Sequence, residues 1–145
     1  MKNRITPEVV ETLEPNQIFV FGSNKKGRHG AGAALTAVKK FGAEEGVGEG
    51  LTGQSYAFPT IEKLRPYTRV TLDSFQHSVY KLGKCMEEHP ELEFLITPLG
   101  LGLAGFKVKT VAPMLVPLIK FKNAIFPKVV VDYWRMMVSF HEFMN

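Results

Sequence analysis

The feature that most constrains the fold is an apolar stretch that leads through a glycine-containing loop into a helical segment. Residues 17–21, Gln-Ile-Phe-Val-Phe, are almost entirely β-branched or aromatic, which is typical of a strand covered on both faces. A polar loop runs from there to Gly32, and residues 33–41 have a helical composition that ends at Gly42. This order of strand, loop and helix predicts one unit of an α/β fold.

The rest of the chain continues the alternation of strands and helices. We predict a short helix over residues 5–13, strands at 55–60, 92–97 and 129–131, and helices from Thr71 to before Pro90 and from Val108 to Lys120, the last kinked by Pro117. Five glycines between residues 42 and 53 predict a long flexible connection, and the aromatic tail from Asp132 has no clear prediction. This pattern predicts helices packed on a mixed or parallel sheet, with a ligand site beyond the carboxyl ends of the strands.

Length and cysteine content narrow the class of protein. A chain of 145 residues has the usual size of one domain, so we expect a single domain over residues 1–145. Cys85 is the only cysteine, which excludes an intramolecular disulfide framework and a multi-cysteine metal site. The start of the chain has no apolar leader and no stretch is long enough to span a bilayer, so we expect a cytoplasmic protein with no membrane partner and no structural metal.

The net charge of +4 is unevenly distributed along the chain. Residues 25–40 contain five basic residues and no acid, and residues 94–131 contain five lysines and no acid. Both stretches also carry glycine loops, which favours an anionic ligand at those loops. Solvated surface charge is the plain alternative, and a basic nucleic-acid-binding module is a further functional alternative.

The first glycine loop has the composition of a phosphate cradle. Gly27, Gly30 and Gly32 lie where a strand gives way to a helix, so main-chain N–H groups and the helix dipole would face a ligand there, with Arg28 adding positive charge. The spacing matches neither a Walker loop nor a dinucleotide fingerprint. A tight turn that packs helix against sheet is the structural alternative.

A second loop has the same setting. Gly100, Gly102 and Gly105 also follow a predicted strand and precede a predicted helix. In a parallel arrangement the two loops would converge on one cleft, and two sets of N–H donors suit a diphosphate. Asn24, at the tip of the first strand, could contact a ribose or base, or could bond its own turn.

Four segments, in their order and spacing, resemble a family of small bacterial and phage macrodomain-like proteins. They are residues 19–24 (Phe-Val-Phe-Gly-Ser-Asn), 27–34 (Gly-Arg-His-Gly-Ala-Gly-Ala-Ala), 53–60 (Gly-Gln-Ser-Tyr-Ala-Phe-Pro-Thr) and 99–106 (Leu-Gly-Leu-Gly-Leu-Ala-Gly-Phe). The order is similar to that of the terminal ADP-ribose glycohydrolase branch of macrodomains. The resemblance implies a three-layer α/β/α sandwich with a mixed central sheet, and host cytoplasm if the chain is phage-encoded.

The resemblance also implies a ligand. This would be an ADP-ribose-like small molecule, or the same group on an ADP-ribosylated macromolecule, bound by a reader, sink or sensor without a further cofactor. The residues expected to bind it are Asn24, Arg28, Gly30, Ala31, Gly32, Thr60, Gly100, Leu101, Gly102, Leu103, Ala104 and Gly105.

The chain departs from that branch at its catalytic positions. Ile61 stands where the branch has its lysine, and Ala104 stands where it has its aspartate. The lysine–aspartate mechanism is therefore not supported, and binding is favoured over hydrolysis. The alternative is an ADP-ribosyl hydrolase that uses unconventional groups, for which His29 and Lys63 are the candidates.

Overall fold

The computed structural model describes residues 5–145, which form a seven-stranded sheet with helices on both faces. The strands are β1 (Ile5–Thr6), β2 (Gln17–Asn24), β3 (Gly50–Thr52), β4 (Ser55–Leu64), β5 (Tyr67–Arg69), β6 (Glu93–Ile96) and β7 (Ala124–Pro127). The helices are α1 (Gly32–Phe41), α2 (Leu72–Glu88), α3 (Val108–Leu115), followed by a 3₁₀ turn (Val116–Leu118), and α4 (Lys128–Met144).

The sheet is mixed, as predicted. Its order is β1-β7-β6-β2-β4-β3, with β5 paired to β4 beyond the end of β3. The five strands β1, β7, β6, β2 and β4 run parallel, whereas β3 and β5 are antiparallel to β4. None of the helices in the described chain has the length and apolar composition that crossing a bilayer requires.

Strand β2 lies at the centre of the three layers. Ile18 and Val20 point into a core formed with α2, α3 and the start of α4, whereas Phe19 and Phe21 pack on the other face against α1. All four side chains are buried, and full burial of such a side chain contributes about 1.5–3 kcal/mol. Burial on both faces explains why this strand is continuously apolar and confirms the predicted three-layer α/β/α sandwich.

Helix α2 follows its sequence signals closely. The Thr71 hydroxyl accepts a hydrogen bond from the N–H of Ser74 at 3.1 Å and caps the helix. Its buried face includes Phe75, Val79 and Leu82, at three- and four-residue steps. This helix covers one face of the sheet, and its Phe75 ring packs against Phe106, at the end of the second glycine loop.

The predicted helix over residues 5–13 is wrong. Ile5 and Thr6 instead form β1, in parallel register with Phe126 and Pro127, and the Thr6 hydroxyl donates to the carbonyl of Ile125 at 3.2 Å. The following residues are irregular, with Val10 buried on the α1 side of the sheet. Pairing to an open sheet edge outweighs the local capping signals, because two β-branched residues suit a strand.

The predicted strand at residues 129–131 is also wrong. The strand lies one segment earlier, in β7, and the three valines occupy the first turn of α4, where Val130 is fully buried. Valine favours strands in isolation, but burial against α3 decides the outcome here. The tail that had no clear prediction completes this helix.

Two further boundaries differ from prediction. The helix predicted to reach Lys120 ends at Leu115, and Pro117 falls in the 3₁₀ turn that follows it. Strand β4 continues through Pro59 to Leu64, because Pro59 lies beside a register shift in the β2 pairing, where a missing N–H is tolerated. The glycine-rich connection at 42–53 contains β3 as well as turns, and β5 was not predicted.

Helix α4 is anchored only at its N-terminal half. The indole N–H of Trp134 donates to the carbonyl of Ala112 at 2.8 Å, and its ring meets Phe126 edge-on. Beyond Trp134 every residue is exposed, including large apolar side chains such as Phe140 and Phe143. The second half of the helix therefore contributes little to the core.

We predict that two changes in α4 differ in their effect on stability. Ending the chain after Val138 removes only exposed residues and should change the free energy of unfolding by less than about 1 kcal/mol. Trp134→Ala, which removes a packed ring and a hydrogen bond, should cost about 2–4 kcal/mol. Urea unfolding of both variants measures this, and a large loss of stability on truncation would contradict the assignment.

Candidate functional site

The site arises from three adjacent parallel strands. Strand β2 lies between β4 and β6, so the carboxyl ends of all three meet at one edge of the sheet. From β2 the chain continues to β4 on one side of it, and from β4 it crosses to β6 on the other side. The direction of the strand order therefore reverses between β2 and β6, and ligands of open α/β sheets bind at such a switch point. The loops after β2 and β6 therefore face each other.

The two glycine loops enclose a cleft of about 530 Å³. Ten of the twelve residues predicted to bind a ligand line it, namely Asn24, Arg28, Gly30, Ala31, Gly32, Thr60, Gly100, Gly102, Leu103 and Ala104. The two that do not line it belong to the second loop. Leu101 packs against the hydrophobic core, and the carbonyl of Gly105 accepts a hydrogen bond from the Arg69 guanidinium at 3.1 Å.

Asn24 fixes the conformation of the first loop. Its side-chain oxygen accepts the main-chain N–H of Arg28 at 2.9 Å, and its Nδ2 donates to the carbonyl of the same residue at 2.8 Å. The amide therefore bonds its own loop, which is the turn alternative, while still lining the cleft. The result is that Arg28 is held at the mouth of the cleft.

The first loop is supported from behind by residues 44–48. The N–H of Gly46 donates to the carbonyl of Gly27 at 2.8 Å, and the Ser23 hydroxyl donates to the carbonyl of Gly48. Gly27 has a φ of +72°, and a Cβ added there would overlap the backbone of Gly46. Glycine is required at this position because two backbones pass in contact.

His29 belongs to this support rather than to the cleft. Its side chain is 2% exposed, its main-chain N–H donates to Glu45 at 2.9 Å, and its Nε2 lies 3.1 Å from the carbonyl of Val47. Because a carbonyl only accepts, Nε2 carries the proton. The ring also packs edge-on against Phe21, and His29 is not among the residues lining the cleft.

Lys63 lies outside the cleft as well. It is exposed on the neighbouring surface, in a groove that adjoins the cleft. Neither of the two candidates for unconventional catalysis, His29 and Lys63, therefore lines the cleft.

Helix α1 presents unpaired donors to the cleft. Ala31, the N-cap residue, offers no side-chain hydrogen bond, and the first turn contains no acidic residue. The main-chain N–H groups of Gly32, Ala33 and Ala34 have no partner within the described chain, and all three residues line the cleft. The positive end of the helix dipole reinforces them.

The second loop supplies a matching set of donors. Gly100 adopts a φ of +76°, and its carbonyl accepts the N–H of Phe106 at 2.9 Å, which closes the loop. Within the described chain, the N–H groups of Gly102, Leu103 and Ala104 have no hydrogen-bond acceptor. Main-chain donors from both loops therefore border one cavity.

The charge of the cleft is simple. Among residues 5–145, the ionisable side chains that line it are Arg28 and Tyr67, and no carboxylate, lysine, histidine or cysteine does so. The positions that matched catalytic residues of the resembling branch hold Ile61 and Ala104, both lining the cavity and both apolar. The cleft thus offers donors to an anion without an evident general acid or base.

An apolar cavity of about 770 Å³ continues from the cleft. The two share Ala33, Thr97 and Pro98, and the larger cavity is further lined by residues 5–10, by Phe19 and by the start of α4. Its charged lining residues are Glu8, Lys128 and Asp132, of which the last two form an ion pair at 2.6 Å. The sequence does not predict this cavity, because the structure of both flanking segments, residues 5–10 and the start of α4, differs from the prediction.

Other reactive groups lie away from the cleft. Burial raises the pKa of the Cys85 thiol to about 11, and the nearby Glu88 carboxylate also raises it, so this half-buried cysteine stays protonated at neutral pH. Burial likewise raises the pKa of Tyr56. Across residues 5–145, no three histidine, cysteine, aspartate or glutamate side chains come together in a group that could hold a metal ion.

Comparison with family models, curated proteins and solved structures finds no match to this chain.

We predict that the loop support tolerates no side chain at Gly27. Gly27→Ala should lower the free energy of unfolding by about 2–4 kcal/mol, because the new Cβ meets the Gly46 backbone and strains a left-handed residue. Gly30→Ala is the matched control, since a Cβ there meets nothing within 4 Å, and it should change stability by less than about 1 kcal/mol. Equal effects in denaturant unfolding would contradict this role of Gly27.

Proposed function

We propose that the cleft binds the diphosphate of ADP-ribose or of a related NAD-derived nucleotide, and that the protein acts as a reader, sink or sensor of that ligand. One observation carries this proposal: residues of two separate loops whose main-chain N–H groups are unpaired line a single cavity that no carboxylate lines within the described chain. Such donors stabilise phosphate oxygens without a side chain having to move.

The electrostatics of the first loop support an anionic ligand. Helix α1 begins with small residues and no acid, so its dipole is not neutralised by the chain itself. The Arg28 guanidinium has no carboxylate partner within residues 5–145 and lies at the cleft mouth. A guanidinium in that position is suited to two oxygens of one phosphate.

The adjoining apolar cavity supports a ligand longer than a diphosphate. It joins the cleft at Ala33, Thr97 and Pro98, and its walls are mainly apolar. A nucleoside placed there would bury its base against Phe19 and Val129. The Asp132 carboxylate at the cavity wall accepts the Lys128 ammonium at 2.6 Å, so a ligand would meet this pair and not a free carboxylate. Cleft and cavity together have the composition expected for a nucleoside diphosphate.

Binding without turnover is the form of this proposal that the residues favour. Cleavage of an ADP-ribosyl bond needs a group that moves a proton or stabilises the departing partner. Ile61 and Ala104 can do neither, and His29 is buried behind the first loop. The hydrolase alternative would require a bound water and the Tyr67 phenol to perform this task.

Calorimetric titration with ADP-ribose tests the binding proposal directly. We expect saturable one-site binding at micromolar concentrations, with weaker binding of adenosine diphosphate. Silence of ADP-ribose, adenosine diphosphate and NAD up to millimolar concentrations would overturn the proposal.

We predict that a carboxylate at position 33 weakens ADP-ribose binding without lowering the stability of the fold. Ala33→Glu places a negative charge beside the donors of α1, so ADP-ribose affinity should fall at least about tenfold. Folding should be unharmed, since an acid in the first helical turn is favourable by about 0.3–1 kcal/mol. Ala33→Gln has nearly the same shape without the charge and should lose much less affinity, so equal losses in both variants would count against recognition of an anion.

We also predict that the protein releases no ADP-ribose from ADP-ribosylated protein or oligonucleotide over hours, while it binds free ADP-ribose. Chromatographic detection of the product measures this. Turnover that exceeds the uncatalysed rate would favour the hydrolase alternative.

A further inference from the structure

A groove that adjoins the cleft is bordered by basic side chains. It has a volume of about 820 Å³ and lies between the first loop and the hairpin of β4 and β5. Its lining residues are Lys26, Arg28, Glu62, Lys63, Leu64 and Arg65. Four of these six residues are cationic, and all four are exposed.

Glu62, the one acid among the described residues that line the groove, is already paired. The Glu62 carboxylate accepts the Lys25 ammonium at 3.0 Å. Within the part of the chain that the structure describes, Lys26, Arg28, Lys63 and Arg65 form no ion pair. The described fold therefore gives these four cations no carboxylate partner, although all four line one groove.

The groove concentrates positive charge. With Lys25 included, five cations and one acid give it a formal charge of +4, which is the net charge of the entire chain. The remaining 13 basic and 13 acidic residues cancel. An excess of charge gathered at one groove creates a local field that a dispersed excess would not.

The groove and the cleft are continuous. Arg28 and Leu64 line both of them. Across the hairpin, Leu64 is paired with Tyr67, which lines the cleft and is 53% exposed. A polymer that follows the cations would thus meet an exposed aromatic ring at the cleft.

We propose that this groove binds the sugar–phosphate backbone of a single-stranded nucleic acid, with a base stacked on Tyr67. Cations that track a backbone beside an aromatic platform are the features by which proteins hold single strands without sequence preference. An acidic peptide would use the cations but not the ring, and a single strand is flexible enough to turn from groove to cleft. The proposal goes beyond nucleotide binding in the cleft and does not depend on it.

Fluorescence anisotropy with a labelled oligothymidylate of twelve nucleotides tests the proposal. We expect binding that weakens as salt rises, with a slope of about −2 to −3 in a plot of log affinity against log salt, as three or four phosphate contacts on a single strand require. Lys63→Gln with Arg65→Gln should reduce that slope by about 1.4 and lower the affinity at least about tenfold at low salt.

A matched double substitution controls for net charge. Lys39→Gln with Lys40→Gln removes the same two charges from the last turn of α1, at the end of the helix away from the cleft. Its affinity for the oligonucleotide should remain within about twofold of the parent. Equal losses in both double variants, or salt-insensitive binding, would overturn the groove as the site.

Two further measurements test the role of the Tyr67 ring and the chemical class of the ligand in the groove. Tyr67→Ala should weaken oligonucleotide binding about 5- to 100-fold, whereas Tyr67→Phe, which keeps the ring, should bind like the parent. A twelve-residue polyglutamate should not displace the oligonucleotide at equal concentration. Displacement would reassign the groove to acidic peptides and overturn the proposal.

The cleft and the groove are distinguished by titration with ADP-ribose. The Lys63→Gln, Arg65→Gln variant should lose the oligonucleotide and still bind ADP-ribose in calorimetry. A parent protein that binds the oligonucleotide but not ADP-ribose would overturn the cleft proposal alone. ADP-ribose should weaken oligonucleotide binding without abolishing it, because it competes for Arg28 and Tyr67 and leaves the other groove cations free. Complete displacement would instead move the strand into the cleft and overturn the groove proposal.

Discussion

The parallel pairing of β2 with both β4 and β6 is the constraint on which the site depends. Parallel pairing forces the carboxyl ends of the three strands to one edge, so the loops that leave β2 and β6 must start side by side. The pairing is in turn held by burial, since Ile18 and Val20 face one helical layer and Phe19 and Phe21 face the other. A slip of one residue in β2 would exchange these two sets and misalign both loops.

The unpaired amides of the cleft exist because the loops are held by other contacts. Behind the first loop, Gly27 bonds Gly46, and the buried His29 ring bonds Val47. These bonds hold the back of the loop, although the buried Nδ1 of His29 has no hydrogen-bond partner among residues 5–145. Within the same residues, the main-chain N–H groups at the front of the loop, at the start of α1, have no internal partners. A loop without such support would turn its own donors inward, because unpaired donors are costly unless water or a ligand reaches them.

Local patterns predicted the parts of the fold in which sequence and burial agree. The apolar run of β2, the capped amphipathic α2 and the two glycine loops each carry their own signal, and the structure brings the loops together over one cleft. The predictions for residues 5–6 and 129–131 were wrong because long-range contacts determine their secondary structure. Ile5 and Thr6 pair with an open sheet edge, and Val130 packs against α3. No local signal marks such contacts.

In the candidate site, too, local sequence signals predict some residues and long-range contacts determine the rest. Glycines and Arg28 could be assigned from the sequence, because loop position and residue type were enough. The apolar cavity and Tyr67 could not be, since the first needs two segments far apart in the chain and the second needs a hairpin that was not predicted. The same holds for the basic groove, where Lys26 and Lys63 are separated by more than thirty residues and meet only through the pairing of β2 with β4.

Cleft and groove use different physical means to attract anions. The cleft relies on main-chain donors and a helix dipole, which are fixed by the fold and act at close range. The groove relies on long, exposed cationic side chains, whose attraction reaches further but is screened within about 8 Å at physiological ionic strength. Because Arg28 borders both, a polyanion drawn to the groove would arrive beside the donors of the cleft. The two surfaces adjoin because the same loop after β2 contributes residues to each.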